Sequence, residues 1–283
     1  MSVENVAGEV IPRSRATFGE SAARSSSRVP ERDVIAMVET AVASGSVMLA
    51  FQPIVPACHP ERPAFFEGLI RLLDQSGRII PAKDFITEVE LSALGRRIDR
   101  LSLGYGLDVL GDRPELRLAV NLSAKSIENE EWCDTLDRAI VADPSVAERL
   151  ILEITESSAI ERPDLVRLFM ETYRRRGITF AIDDFGSGYT SMRYLKDLCF
   201  DILKIDGQFI RGVAQSSDNR ALVSAMVSLG RHFDMVTVAE KVETAADAEI
   251  LRELGVDCLQ GYYFGAPTIR PRWDSDDKDL AVG

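Results

Sequence analysis

The chain has 283 residues, of which 46% are hydrophobic and 28% are charged, which is enough for a large globular core. Its formal net charge of −12 argues against a broad DNA- or RNA-binding face, because such faces are basic. No apolar run approaches the roughly 20 residues that a membrane-spanning helix needs, so we expect no membrane insertion.

The first 30 residues mix Ser, Arg, Glu and Gly without apolar periodicity. We expect residues 1–30 to be a disordered leader. This segment lacks the hydrophobic stretch of a signal peptide. The four cysteines (Cys58, Cys133, Cys199 and Cys258) are scattered and form no C-x-x-C pair. Both features favour a cytoplasmic protein with reduced thiols.

Residues 31–270 alternate between β-type apolar runs and amphipathic helical stretches. The strand-like runs are VMLAFQPIV, FFEGLI, LRLAVNL, RLILEIT, ITFAIDD, FDILKID, MVTVAE and DCLQGYYF. Helical stretches such as PDLVRLFMETYRRRG separate most of them. Eight strands that alternate with helices fit a parallel, closed (β/α)8 barrel of the TIM type, with a doubly wound open sheet as the alternative. Residues 271–283, which include Asp274, Asp276 and Asp277, predict a solvated tail.

Several of the predicted strands end in a polar residue. These residues are Asn121, Glu153, the pair Asp183 and Asp184, Lys204 and Glu240. Their spacing approximates one strand–helix unit each, so all of them would emerge at the C-terminal face of a barrel, where active sites are built. A single acid at a strand end is more often a helix N-cap or a solvated loop residue. Structural roles of this kind do not readily explain why all of these polar residues would lie at one end of the barrel.

Carboxylates that converge repel one another and stay ionised only when cations neutralise them. The chain has only two histidines, His59 and His232, which lie far apart in sequence. Oxygen ligands of this kind suit magnesium, manganese or calcium better than zinc. Two cations bridged by a shared carboxylate are a common device for displacement at phosphorus, and the doublet Asp183-Asp184 suits that task. The glycines that follow the doublet permit a mobile active-site loop.

The motifs, taken together, resemble the EAL domain, a bacterial phosphodiesterase of cyclic di-GMP. The matching motifs are FQPIV, EGLIR (67–71), NLS (121–123), LEITES, DDFGSGY, LKID, AEKVET and QGYYF. They cover the chain from about Phe51 to Pro267 in order and with fitting spacing. The resemblance implies a (β/α)8-type barrel that hydrolyses cyclic di-GMP to linear pGpG with two Mg2+ or Mn2+ ions.

The resemblance also implies a role for each matching residue. The first cation would be bound by Glu67, Asn121, Glu153 and Asp183, and the second by Asp183, Asp184 and Glu240. The catalytic residues would be Glu67, Lys204 beside the attacking water, and Glu240 as the general base. Glu156 would stabilise the loop after the acid doublet. Positions that line the substrate or support the metals would be Gln52, Arg71, Asp206, Glu243 and Gln260, with Arg71 as a phosphate ligand.

Two positions depart from the family pattern. Gly68 stands where the family name has Ala, which leaves the ligand Glu67 in place. Lys241 follows Glu240 where the family most often has glycine, so a positive φ would strain it. Its ammonium could pair with Glu240 or Glu243 and compete with metal, or point into solvent. We expect activity to be reduced or unaffected rather than abolished.

Three functions therefore remain open. The first is an active cyclic di-GMP phosphodiesterase, and the second is a catalytically weak or silent EAL domain that acts as a receptor or protein-binding module. The third is a barrel hydrolase for another phosphodiester. The family resemblance further implies a homodimer.

Overall fold

The structure is a computed structural model that describes residues 31–188, 193–271 and 273. The predicted leader, residues 1–30, lies outside the described residues. So does the predicted tail, apart from Pro271 and Trp273. The Trp273 ring lies edge-on against Phe51 and Phe66, at centroid distances of 5.2 and 4.2 Å.

Nine strands and eleven α-helices follow one another along the described chain. The strands are β1 (Val47–Pro56), β2 (Phe65–Leu73), β3 (Ile79–Pro81), β4 (Leu118–Asn121), β5 (Leu150–Thr155), β6 (Thr179–Phe185), β7 (Ile202–Ile205), β8 (Val236–Ala239) and β9 (Cys258–Gln260). The helices are α1 (Glu31–Ala43), α2 (Ile86–Val89), α3 (Ala93–Asp112), α4 (Glu130–Ala142), α5 (Ser145–Arg149), α6 (Glu156–Glu161), α7 (Pro163–Arg174), α8 (Arg193–Asp197), α9 (Gly207–Ile210), α10 (Ser217–His232) and α11 (Ala245–Glu253). A 3-10 turn covers Ala82–Asp84.

Eight of the strands close into a barrel. Their order around it is β1, β9, β8, β7, β6, β5, β4 and β2, and β2 then pairs with β1. Each of the eight corresponds to one of the apolar runs in the sequence, so the predicted closed barrel is confirmed and the open sheet is excluded. Among the described strands, the short β3 pairs with β2 alone, outside the ring.

The expectation of an all-parallel sheet is wrong for one strand. β1 runs antiparallel to both of its neighbours, β2 and β9. Only residues 57–64 connect β1 to β2. A parallel crossover needs a dozen or more residues, so this connection can only form a hairpin. The remaining seven barrel strands are parallel to one another.

A single apolar layer fills the barrel interior. Each of the eight strands contributes one buried side chain to it: Ile54, Phe65, Ala119, Ile151, Ala181, Ile202, Val238 and Cys258. A second and larger core lies between the strands and the surrounding helices and includes Trp132, Phe169 and Phe180. The interior is thus a packed core and not a pore, as is usual for small barrels.

The outer helices are amphipathic and start at capping residues. The side chains of Ser92, Asn129 and Thr244 accept backbone N–H groups at the starts of α3, α4 and α11. Among the helices of the described residues, none combines the length and the apolar character that crossing a membrane requires.

Candidate active site

A polar layer lies directly above the apolar layer, at the C-terminal ends of the parallel strands. Inward-facing positions recur every second residue along a strand. One step beyond each apolar residue the chain places Glu67, Asn121, Glu153, Asp183, Lys204, Glu240 and Gln260. On antiparallel β1 the same step runs backwards, from Ile54 to Gln52. All eight strands therefore contribute one polar side chain to the same rim.

Lys204 lies at the centre of this layer. Its ammonium Nζ is 2.7 Å from Glu153 Oε2, 2.9 Å from Asp183 Oδ1 and 2.9 Å from Glu240 Oε1. Glu67 Oε2 lies 3.5 Å away. The Lys204 side chain is only 1% exposed, so four carboxylates and one ammonium meet in an enclosed space.

Burial and mutual repulsion shift the titration of these acids. Burial raises the pKa of Glu153 well above its ordinary value, and the nearby charge of Glu67 adds to this rise. Burial and the charge of Asp183 likewise raise the pKa of Glu240. Burial also opposes ionisation of Asp183, but the charge of Lys204 and hydrogen bonds to the carboxylate keep its pKa below the ordinary value. In the same way, the four carboxylates outweigh burial and keep the pKa of Lys204 well above normal.

Amide side chains fix the carboxylate of Glu67 from both sides. Asn121 Nδ2 donates to Glu67 Oε1 at 3.0 Å, and Gln260 Nε2 donates to Glu67 Oε2 at 2.6 Å. Gln260 Nε2 also approaches Gln52 Oε1 at 3.2 Å, and Gln52 Nε2 donates to the carbonyl of Gly265 at 3.0 Å. The two glutamines therefore hold Glu67 in place across the junction of β1, β2 and β9.

A second group of acids lies just outside the polar layer. Asp184 has a positive φ of 51°, and one of its carboxylate oxygens lies within 4.8 Å of ligand atoms of Asp183 and Glu240. Burial and the charge of Asp183 raise the pKa of Asp184 to about 6. Asp206 is the N-cap of helix α9, where its Oδ1 accepts the N–H of Gln208 at 2.9 Å.

Lys241 faces this second group. Its φ is 55°, the positive value for which the sequence predicted strain. Nζ lies 2.9 Å from Asp206 Oδ2, 3.8 Å from Asp184 Oδ1 and 3.9 Å from Glu240 Oε2. The pairing that the sequence suggested with Glu240 is therefore a long one, and Asp206 is the closer partner. Glu243 instead lies near Arg211, with Nε and Oε1 3.6 Å apart.

Glu156 lies below the loop that follows β6. Its Oε2 accepts the backbone N–H of Gly186 at 2.8 Å, across 30 residues of sequence. Gln208 supports the same turn, because its Nε2 donates to the carbonyl of Gly186 at 3.2 Å. Residues 189–192 of this loop lie outside the described residues.

Arg71 lies one inward step beyond Leu69 on β2, and its side chain is not bound to an acid among the interactions of the described residues. Nη1 donates to the carbonyl of Ile70 at 2.9 Å, and partial burial lowers the pKa of Arg71. The guanidinium thus keeps further donors for an anionic ligand.

One supporting residue escaped the sequence analysis. Asp99 of α3 accepts the hydroxyl of Ser126 at 2.6 Å and the N–H of Ser123 at 3.3 Å, both at Oδ2. It thereby anchors the loop directly after Asn121. Asp99 lies in the middle of a helical sequence pattern, and the pattern gives no sign of its partners. The contact is recognised only when the positions of Ser123 and Ser126 in space are known.

The acids fit a divalent cation. One ligand atom from each of Asp183, Asp184 and Glu240 lies within 4.8 Å of the other two. Glu153 Oε1 is buried and has no hydrogen-bond partner among the described residues, although it is a carboxylate oxygen. Buried acceptors without a partner are costly, so a ligand atom for a metal explains this one better than a structural role does.

Fold and site together define a TIM-type barrel with a carboxylate-rich centre, suited to metal, at the C-terminal face. Comparison with known domain families identifies an EAL domain over residues 35–267. The chain belongs to this family.

Named relatives share the domain. The chain is 33% identical over 227 residues to the bifunctional diguanylate cyclase/cyclic di-GMP phosphodiesterase MucR of Pseudomonas aeruginosa, an alignment that covers 80% of this chain and 32% of MucR. It is 30% identical to the cyclic di-GMP phosphodiesterase PdeF of Escherichia coli, covering 83% of this chain and 32% of PdeF. The chain thus spans about a third of the length of these relatives.

Solved structures agree with the fold. The PaMucR phosphodiesterase in complex with c-di-GMP aligns with a TM-score of 0.74 and 34% identity, covering 83% of this chain and 97% of that one. The FimX EAL domain from Pseudomonas aeruginosa bound to c-di-GMP aligns with a TM-score of 0.76 and 25% identity, covering 84% and 97%.

Proposed function

We propose that this chain hydrolyses cyclic di-GMP to linear pGpG with two divalent cations, Mg2+ or Mn2+. The observation that carries the proposal is the enclosed cluster in which Glu67, Glu153, Asp183 and Glu240 surround Lys204. The names of the relatives supply the substrate class.

Two overlapping sets of residues would hold the two cations. Glu67, Asn121, Glu153 and Asp183 would hold the inner one, and Asp183, Asp184 and Glu240 the outer one. When bound, such cations activate a water molecule and neutralise charge on the phosphate.

The side chains of the barrel mouth perform the remaining steps. Glu240, whose pKa is raised, takes the proton of the attacking water. The water oxygen bonds to one phosphorus as the bond from that phosphorus to a ribose oxygen breaks, which opens the ring. The released ribose oxygen takes up a proton from solvent and leaves as a hydroxyl group. Lys204 positions the carboxylates and offsets charge that develops on the phosphate. Arg71 binds a phosphate oxygen, and Gln52, Asp206, Glu243 and Gln260 line or support the site.

The experiment that tests this proposal compares three purified proteins with cyclic di-GMP and Mn2+ or Mg2+. We expect pGpG to appear with the unaltered chain and with Glu249→Gln, a control acid that pairs with Arg252 on α11. Glu67→Gln should lose at least 100-fold in rate, because an amide is a poorer ligand for a cation. Equal rates in all three proteins would contradict the proposal.

A second candidate is a weak or silent EAL domain that binds cyclic di-GMP as a receptor. Lys241 favours it, because its ammonium already lies among the outer acids. Tight binding of cyclic di-GMP without pGpG would support the receptor. Faster hydrolysis of a different cyclic dinucleotide would instead support the third function, a barrel hydrolase for another phosphodiester.

Location and assembly complete the proposal. Cys58, Cys133, Cys199 and Cys258 are all free, which suits a reducing cytoplasm. We expect a homodimer and no binding of DNA or RNA polymers. Light scattering coupled to size exclusion measures the mass directly, and a mass of one chain would exclude the dimer.

A further inference from the structure

Two lysines lie within reach of the carboxylates at the barrel mouth, and they differ in their surroundings. Lys204 lies in the middle of the polar layer and is fully buried. Lys241 approaches from the outer side, where its side chain is 45% exposed. Its ammonium is within 4 Å of Asp184, Asp206 and Glu240. Two of these three acids belong to the group whose ligand atoms converge on one point.

The chain holds Lys241 in this position by packing as well as by charge. Gly207 lies beneath its aliphatic stem, so that a Cβ at position 207 would come within 2.3 Å of Lys241 Cδ. Asp206 is fixed in turn, because its other oxygen caps helix α9. The stem therefore lies along the glycine and directs the ammonium towards Asp206 Oδ2.

The backbone of Lys241 is unfavourable for a lysine. A φ of 55° is the left-handed region, which residues other than glycine and asparagine rarely adopt. The strained residue thus places a positive charge next to an acidic cluster. Strain of this kind is typical of functional sites.

The consequence for metal binding follows from Coulomb's law. A unit positive charge a few ångströms from a divalent cation lowers its affinity by about tenfold or more, even at a dielectric constant close to that of water. The same ammonium also neutralises Asp184 and Asp206, which would otherwise attract the cation. Lys241 lies within 4 Å of the outer acids, whereas Glu67 and Glu153 pair with Lys204 in the described residues, so the effect is largest at the outer position.

We propose that the ammonium of Lys241 weakens the binding of a divalent cation at the cluster of Asp183, Asp184 and Glu240. This inference rests on the metal-dependent function proposed above. The inner and outer positions then differ in affinity, and at low metal concentration the outer position stays empty. The concentration of free Mn2+ or Mg2+ would thereby set how much of the protein is fully loaded.

Titration with Mn2+, followed by the electron paramagnetic resonance signal of the free ion, tests this without substrate. The proteins compared are the unaltered chain, Lys241→Gly, Lys241→Asn and Lys241→Arg. Glycine and asparagine both tolerate a positive φ, so these two variants should fold, and circular dichroism checks this. We expect the weaker Mn2+ site to tighten about tenfold in both of them, and Lys241→Arg to keep the unaltered affinity because it keeps the charge.

Equal affinities in all four proteins would overturn this inference and leave the proposed function intact. Tightening in Lys241→Arg as well would also overturn it, because the charge would then not be the cause. If none of the four binds Mn2+, both the inference and the proposed metal centre fail.

Discussion

At the scale of single residues, the site depends on one buried cation. Lys204 contacts three carboxylates at 2.9 Å or less, and no other ammonium or guanidinium of the described residues reaches Glu153. A buried charge that loses its partner is strongly destabilising. Lys204 therefore contributes to the stability of the metal-free protein in addition to its proposed part in catalysis.

Replacing Lys204 by Met should expose that contribution. In the presence of EDTA, we expect the free energy of unfolding of Lys204→Met to fall by about 3 kcal/mol, because the carboxylates then repel one another without compensation. Urea denaturation measures the change. Lys83→Met, which alters an exposed lysine, should stay within about 0.5 kcal/mol of the unaltered protein. A loss as small as that in Lys204→Met would show that the cluster needs no internal cation.

At the scale of elements, helices and loops hold the polar layer in register from outside. Asp99 of α3 fixes the loop after β4, and Glu156 at the start of α6 fixes the loop after β6. Both anchors join segments more than 20 residues apart in sequence. The rim therefore depends on contacts that none of the strands makes alone.

The pH dependence of stability should reveal the Asp99 anchor. Burial raises the pKa of Asp99 from 3.8 to about 6, despite the opposing hydrogen bonds from Ser126 and Ser123. The folded state therefore holds the proton of Asp99 more tightly than the unfolded state does. The resulting contribution to the free energy of unfolding is complete below pH 3.8 and is lost as the pH rises through 6. Asp99→Asn keeps an acceptor but does not titrate.

We therefore expect the stability difference between Asp99→Asn and the unaltered chain to change by about 2 kcal/mol between pH 4 and pH 6.5, in favour of the variant at the higher pH. Urea denaturation at each pH measures it. Two curves that stay parallel across this range would show that Asp99 titrates normally.

At the scale of the whole molecule, closure of the barrel converts eight separate strand ends into one site. Metal bound there would stabilise the entire fold, because the unfolded chain has no such site. At a Mn2+ concentration of 100 times Kd, the gain is about 2.7 kcal/mol, or roughly 5 to 10 °C in Tm for a domain of this size. A thermal melt with and without EDTA measures the shift. Glu153→Gln should lose much of it and Glu249→Gln none, so an equal rise in both variants would place the metal elsewhere.

Much of the fold and of the candidate site could be predicted from local sequence pattern. The apolar runs marked all eight barrel strands, and the polar residues at the ends of five of them marked the rim. This worked because a strand buried on both faces is a short apolar run, and because parallel strands in a barrel present their C-terminal ends to one side. The convergence of Asn121, Glu153, Asp183, Lys204 and Glu240 was predicted in this way, whereas Glu67 came only from the resemblance to the EAL domain. The roles of all six residues as ligands and catalysts stay predictions.

Contacts between segments that lie far apart in the sequence could not be predicted from local sequence pattern. Nothing local distinguished Asp99 from a solvated helix residue, or showed that Gln52 enters the polar layer from an antiparallel strand. The partner of Lys241 was also missed, because Asp206 lies 35 residues away and approaches only after β7 and β8 pair.

Local sequence pattern was enough to establish which residues form strands, which of these strands end in a polar residue, and hence the chemistry that can occur at the rim. These properties depend on the period of the backbone and on side-chain type, which act within a few residues. Three features became visible only in the folded barrel: the direction of β1, the central position of Lys204 among its four acids, and the contact of Lys241 with the outer acids. Those features depend on distances across a closed barrel, and such distances are fixed only when all eight strands pack together.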